Sequence, residues 1–155
     1  MRSQIEQQIK KLGIILPSPP APVAAYVPYT ISGNLVFISG QVCFLDGDNS
    51  LRGKLGKDLS LDQGYVAARN CALNAIAHLK SACKGDLDIV SRCISIRVFI
   101  ACSPDFSEHP KVGDGASDLI SEIFGPDGLH TRAAIGCTSL PLNCAVEVES
   151  IWEIK

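Results

Sequence analysis

Apolar residues recur along this chain with two different periods, and the switches between them mark out short helices and strands. Ile5, Ile9 and Leu12 fall at i, i+4 and i+7, one stripe of a helix over residues 3–12. Ser3 can cap its start, Glu6 three residues on completes a capping-box pattern, and Gly13 stops it. Residues 16–22 (LPSPPAP) form a stiff, extended connector. Two strand-like runs, Tyr26 to Ser32 and Leu35 to Ser39, flank Gly33-Asn34, which predicts a hairpin with a two-residue turn and positive φ at both corners. Residues 44–59 are rich in glycine and charge and read as a loop. From Ser60 to about Cys83 the spacing of Val66, Leu73, Ile76, Leu79 and Cys83 predicts the longest helix, capped by Ser60 or Asp62. Val90 to Ala101 alternates as a strand. Gly115 to Phe124 reads as another helix, with Gly113-Asp114-Gly115 as a flexible turn and cap at its start.

The last 26 residues alternate with period 2 on both sides of a Leu140-Pro141 break. Paired with each other as an antiparallel hairpin, they set Arg132 opposite Glu147 and His130 opposite Glu149. The other face then matches Ile135 with Cys144 and Ala133 with Val146. Paired instead with other strands of a larger sheet, they lose these cross-pairs but each keeps its own faces. The element order α, β, β, α, β, α, β, β predicts an α+β fold, one mixed sheet with two helices packed on one face. The organisation is an N-terminal helix and Pro-rich connector over residues 1–22, then a single domain over 23–155.

With 155 residues, 46% of them hydrophobic and 19% charged, the chain has material for one well-buried core. A net charge of −2 and scattered Lys and Arg argue against a nucleic-acid partner. No apolar run approaches the roughly 20 residues that span a bilayer, so no membrane partner is expected. The N-terminus lacks an apolar signal core, and a cytoplasmic location is the default. Seven cysteines, an odd number with no C-x-x-C pair, lack metal-ligand spacing and read as small buried thiols in a reducing compartment. Asp46-x-Asp48 hints at a calcium loop, but Leu51 occupies the sixth position, where glycine is needed.

The chemistry concentrates on the charged face of the last two strands. Arg132 beside Glu147 is either a surface ion pair or an anion-binding guanidinium sharing a pocket with a general acid/base. His130 shares a strand face with Arg132 and is a further candidate, against the alternative of a structural histidine. His109, before Pro110, reads as a loop residue without a partner.

Several segments together resemble the Rid (YjgF) family of reactive-intermediate deaminases, also labelled endoribonuclease L-PSP. They are residues 33–41 (GNLVFISGQ), Arg132-Ala133-Ala134, Leu140-Pro141 and residues 146–149 (VEVE). Ala25-Tyr26-Val27-Pro28, Pro110-Lys111-Val112 and Gly115-Ala116-Ser117 resemble a longer branch of it. The resemblance implies a chorismate-mutase-like mixed sheet and a homotrimer with sheets lining a central barrel and clefts between subunits. The reaction it implies is hydrolysis of 2-imino acids, or their enamine tautomers, to 2-keto acids and ammonia, without metal or cofactor. Carried onto matching positions, Arg132 binds the substrate carboxylate and Glu147 positions or deprotonates the water. Tyr26 and Ser39 line the cleft, and a backbone carbonyl near Ala134 helps hold the water. Ala134 stands where the family frequently has cysteine, and the family's helix-start Asn has no clear match. The competing expectations are an RNA-cleaving translation inhibitor and a non-catalytic binder of small carboxylates.

Overall fold

The computed structural model describes residues 3–18, 21 and 24–155; positions 19, 20 and 22 of the predicted 16–22 connector lie outside them. Five strands form one sheet: β1 Tyr29–Ser32, β2 Leu35–Val42, β3 Val90–Ala101, β4 Thr131–Cys137 and β5 Val146–Ile154, in the order β1-β2-β5-β3-β4. Three helices accompany it: α1 Gln4–Lys11, α2 Leu61–Ala82 and α3 His109–Phe124. No described helix is long and apolar enough to cross a membrane.

α2 and α3 cover one face of the sheet, as the sequence order predicts. Val36, Ile38, Ile96, Val98, Ile100, Val146, Val148 and Trp152 turn inward from the strands, all buried. They meet Ala68, Cys71, Ala72, Ile76 and Leu79 of α2 and Val112, Leu119, Ile120 and Ile123 of α3. Small residues on both helices let α2 and α3 approach closely: a Cβ at Gly115 of α3 would run into the Tyr65 carbonyl, and one at Gly64 of α2 would lie 3.0 Å from Val112 Cγ2. Trp152 closes one end of the core against Phe124, ring centroids 5.1 Å apart, and donates from Nε1 to the buried Ser150 hydroxyl. Asn74, buried in α2, donates to the carbonyls of Val42 and Phe44, where β2 leaves the sheet. Ser60 caps α2 in a complete box with Gln63.

α1 docks by its N-terminus. Ser3 Oγ, Gln4 N and Ile5 N all donate to the Asp88 carboxylate, and Ile9 is buried under the stripe. These bonds, led by that from Ile5 N, hold the Asp88 carboxyl below its ordinary range.

The predicted C-terminal hairpin does not form. β4 pairs in parallel with β3, Arg132 opposite Ile96, and β5 runs antiparallel between β2 and β3. Two physical reasons account for this. The chain passes from β3 through α3 into β4, the crossover that generates parallel neighbours. The sheet centre then goes to β5, whose inward residues Val146, Val148, Ser150 and Trp152 are all buried, while β4, with Ala133, Ala134 and Gly136, has little to bury and takes the edge. The face assignment of β5 holds. That of β4 is inverted: Arg132 and Ala134 point toward α3, and Ile135 lies on the uncovered face, 48% exposed, opposite Phe99.

Three boundaries also differ. β1 starts at Tyr29 rather than Tyr26, because Pro28 has no N–H for the ladder and offers only its carbonyl, to Ser39 N. In the β1–β2 turn only Gly33 has positive φ; Asn34 does not. α3 begins at His109, so Gly113-Asp114-Gly115 is helix rather than a flexible turn. Proline is well tolerated in a first helical turn, where its missing N–H had no partner to lose.

Candidate active site

β4 is an edge strand, and its residues 132, 134 and 136 face the first turns of α3. Arg132 is held there by three acceptors. Nη1 donates to Asp114 Oδ1 at 2.9 Å and to Ser117 Oγ at 3.1 Å, and Nη2 to the Pro110 carbonyl at 3.3 Å. Asp114 and Ser117 sit three residues apart, on one face of α3. Gly113 lets that face come close, since a Cβ there would lie 3.3 Å from the guanidinium carbon and 3.5 Å from Ala134 Cβ. Among the described residues Arg132 Nε has no partner. Nε and Nη2 thus present one edge of the guanidinium with a free donor on each, while Nη1 is spent on orientation. The side chain is 24% exposed.

His130 belongs to the same cluster. Its Nδ1 lies 2.6 Å from the Gly128 carbonyl, which can only accept, so Nδ1 carries a proton. In the neutral ring Nε2 then accepts from Ser117 Oγ at 2.9 Å, and that hydroxyl accepts from Arg132. Sequence reading placed His130 and Arg132 together; it missed Asp114, Ser117 and the Pro110 carbonyl. Proline two residues into an unbroken apolar period was the available signal that α3 starts early enough to supply them.

Glu147 is elsewhere. It pairs with Phe99 on β3 and Val42 on β2, on the face of the sheet opposite the helices, and β3 separates it from β4. The expected Arg132–Glu147 cross-pair is therefore absent within one chain, and the two side chains lie on opposite faces. The expected His130–Glu149 pair is likewise replaced: Glu149 takes Arg97 at 2.7 Å. The Glu147 carboxylate folds over Gly40, where any Cβ would collide with Oε1. Burial raises its pKa above the ordinary carboxylate value, and Glu149 adds to the shift. Ser39, the residue before Gly40, donates from Oγ to the Val27 carbonyl at 2.7 Å. Tyr26 sits just upstream, 54% exposed. Glu147, Ser39 and Tyr26 thus gather around one end of β2, and Arg132, Ala134 and His130 around the far edge of the sheet.

The uncovered face carries a groove of about 480 Å³ lined by Tyr29, Phe37, Ser39, Arg97, Glu149 and Ile151 among others. Phe37 is 38% exposed there, and Ile135 stands further along the same face. Among the described residues no group of three or more His, Cys, Asp or Glu is placed to hold a metal ion.

Comparison with known proteins places these features in context. The family model described as "YjgF/chorismate_mutase-like, putative endoribonuclease" matches residues 6–154. Protein TCP17 of Trypanosoma cruzi is 40% identical over 153 residues, spanning 98% of this chain and 95% of that protein. A crystal structure of an Agrobacterium tumefaciens protein of unknown function superposes with a TM-score of 0.91 at 42% identity, covering 97% of this chain and 92% of that one. A 2-iminobutanoate/2-iminopropanoate deaminase of Dermatophagoides farinae is 25% identical over 142 residues, 92% of this chain and 95% of that enzyme.

Proposed function

Since the chain belongs to the YjgF/chorismate-mutase-like family, we propose that it hydrolyses small 2-imino acids, or their enamine tautomers, to 2-keto acids and ammonia, at a site composed from two copies of itself. The observation that carries this reading is the Arg132 guanidinium, fixed by Asp114, Ser117 and the Pro110 carbonyl on the edge strand of the sheet, with no partner for its Nε among the described residues. A planar fork held in place suits bidentate capture of a carboxylate, and lysine could not reproduce it.

The second half of the site is Glu147 with Ser39 and Tyr26. Because Glu147 and Arg132 occupy opposite faces, they meet only if a neighbouring protomer lays its uncovered sheet face near the β4 edge of the first. The apolar side chains on that face, Phe37, Ile135 and Ile151, support such packing, and the assembly is a homotrimer in this reading. This also gives Arg97–Glu149 a sheltered place inside the assembly.

In the mechanism, Arg132 anchors the substrate carboxylate beside the C=N carbon. The raised pKa of Glu147 suits it to take a proton from water as oxygen attacks that carbon. The resulting carbinolamine has lost the C=N double bond; the same carboxyl returns the proton to nitrogen, and as the C–N bond breaks to release ammonia the hydroxyl oxygen forms C=O and gives its proton back to the carboxylate. The Ala134 carbonyl holds the water, and His130 fixes Ser117 and so the guanidinium. No strong electrophile is required, because an iminium carbon is already electron-poor, and orientation supplies much of the rate. The test generates 2-imino acids with an amino-acid oxidase, traps the survivors with semicarbazide and compares wild type with Arg132→Ala and Glu147→Gln. The reading expects faster loss of imine in wild type only. Equal trapping with and without the protein would defeat it.

A further inference from the structure

Beyond the Arg132 cluster, the row of β4 residues facing α3 ends at Gly136, and there two reactive groups meet. Cys102, just past β3, places Sγ 3.6 Å from Nε2 of His109, the first residue of α3. The pair is pressed against backbone: a Cβ at Gly136 would lie 2.5 Å from His109 Nε2 and 2.8 Å from Cys102 Sγ. Phe106 meets the imidazole edge-on at 5.2 Å between centroids and limits its rotation. Both groups line an open cleft of about 370 Å³ with Lys54, Ser103, Gly136 and Cys137. Thiol and imidazole within reach, in a cleft that admits a small molecule, is the arrangement of an activated nucleophile.

We propose that Cys102 and His109 form a covalent modification site for small soft electrophiles of the α,β-unsaturated carbonyl class, separate from the Arg132 site. His109 Nε2 takes the thiol proton as sulfur attacks the β-carbon. The S–C bond forms, the C=C π bond breaks, and the proton passes from the imidazolium to the α-carbon, so no oxidant or leaving group is involved. The other thiols compete poorly. Cys43, Cys71, Cys83, Cys93 and Cys144 are buried, so even Cys43, whose thiol pKa a hydrogen bond with Cys144 lowers to about 6, is out of reach of an external electrophile. Cys137 is half-buried, and burial, with the neighbouring Cys102, pushes its thiol pKa up. Since Gly136 leaves no room behind the pair, an adduct on Sγ extends into the open cleft.

The experiment treats the native full-length protein with sub-stoichiometric N-ethylmaleimide and maps the adduct by peptide mass spectrometry. Cys102 is labelled first, and His109→Gln slows its labelling by about tenfold or more. Gly136→Ala, which keeps His109 but forces its ring off the sulfur, slows it too and serves if the first variant does not fold. Prior labelling of Cys137, or an unchanged Cys102 rate in whichever variants fold, would overturn the proposal. None of these readouts needs deaminase activity, so failure here and failure of the imine-hydrolysis reading are distinguishable.

Discussion

Replacing Asp114 by Asn should tighten the binding of a 2-keto acid, although it removes an ion pair. Asp114 sits 2.9 Å from Arg132 Nη1, and its charge opposes any second carboxylate arriving at the same guanidinium. A carboxylate on the Nε–Nη2 edge would stand roughly 6–7 Å from it, two hydrogen bonds and a planar group away. Two unit charges at about 6.5 Å repel by about 0.6 kcal/mol in water and about 2.5 kcal/mol at an effective dielectric of about 20. Asp114 is 49% exposed and Arg132 24%, so the value falls between. An effect near 1.4 kcal/mol corresponds to about tenfold in Kd. Asparagine still offers Oδ1 to Nη1, and Ser117 and Pro110 still fix the plane, so orientation survives. The stability loss should stay below about 1 kcal/mol, as for other partly exposed pairs. Titration calorimetry with 2-ketobutyrate at low ionic strength measures the gap, which should narrow as salt is added. An Asp114→Asn protein that is folded but binds no more tightly than wild type would refute the electrostatic reasoning.

Other outcomes follow from the same geometry. Glu147 has its pKa raised by burial, so it binds a proton more readily folded than unfolded; its ionisation opposes folding, and its favourable contribution is lost as pH rises through the folded pKa. Glu147→Gln should therefore melt at a higher temperature than wild type at pH 7, with the difference closing below pH 4, while imine hydrolysis is lost. Asp88 has its pKa lowered by the bonds from α1, so that stabilisation is present above the unfolded value and lost as pH falls through the folded one. Asp88→Ala should free α1 at a cost of about 1 kcal/mol, read as faster amide exchange over residues 4–12. Gly115→Ala, which in an open helix would add about 1 kcal/mol of stability, should instead cost about 1–3 kcal/mol in urea unfolding, because its Cβ meets the Tyr65 carbonyl.

The local elements were legible because their signals are local. The cap at Ser60 or Asp62, Ser3 with Glu6 and the alternation of Val90 to Ala101 each report on a few neighbouring residues, and α1, α2 and β3 stand where those signals put them. Pairing is a long-range property, and there the reading of the last two strands failed. The charge match between residues 130–132 and 147–149 is real, but Glu149 satisfies it with Arg97 of β3 and Arg132 with Asp114 of α3. Alternation tells which residues share a face but not which face is covered; for β4, a small-residue edge strand, the covered face is the one with the arginine. Asp114 and Ser117 were missed because two glycines and a proline were read as a turn, when each glycine answers a close approach within a helix. A site divided between two protomers, as proposed, cannot be read from one chain's pattern, since its halves lie on opposite faces of the sheet.

Mixing two inactive variants probes that division. Arg132→Ala retains Glu147, and Glu147→Gln retains Arg132. If each site takes one residue from each of two neighbouring protomers, random trimers from a 1:1 mixture, unfolded and refolded together, contain intact sites at about one quarter of the wild-type density. Imine hydrolysis should then recover to about that fraction, although each variant alone is inactive. A mixture shown by mass spectrometry to have exchanged subunits, yet no more active than either parent, would contradict the composite site.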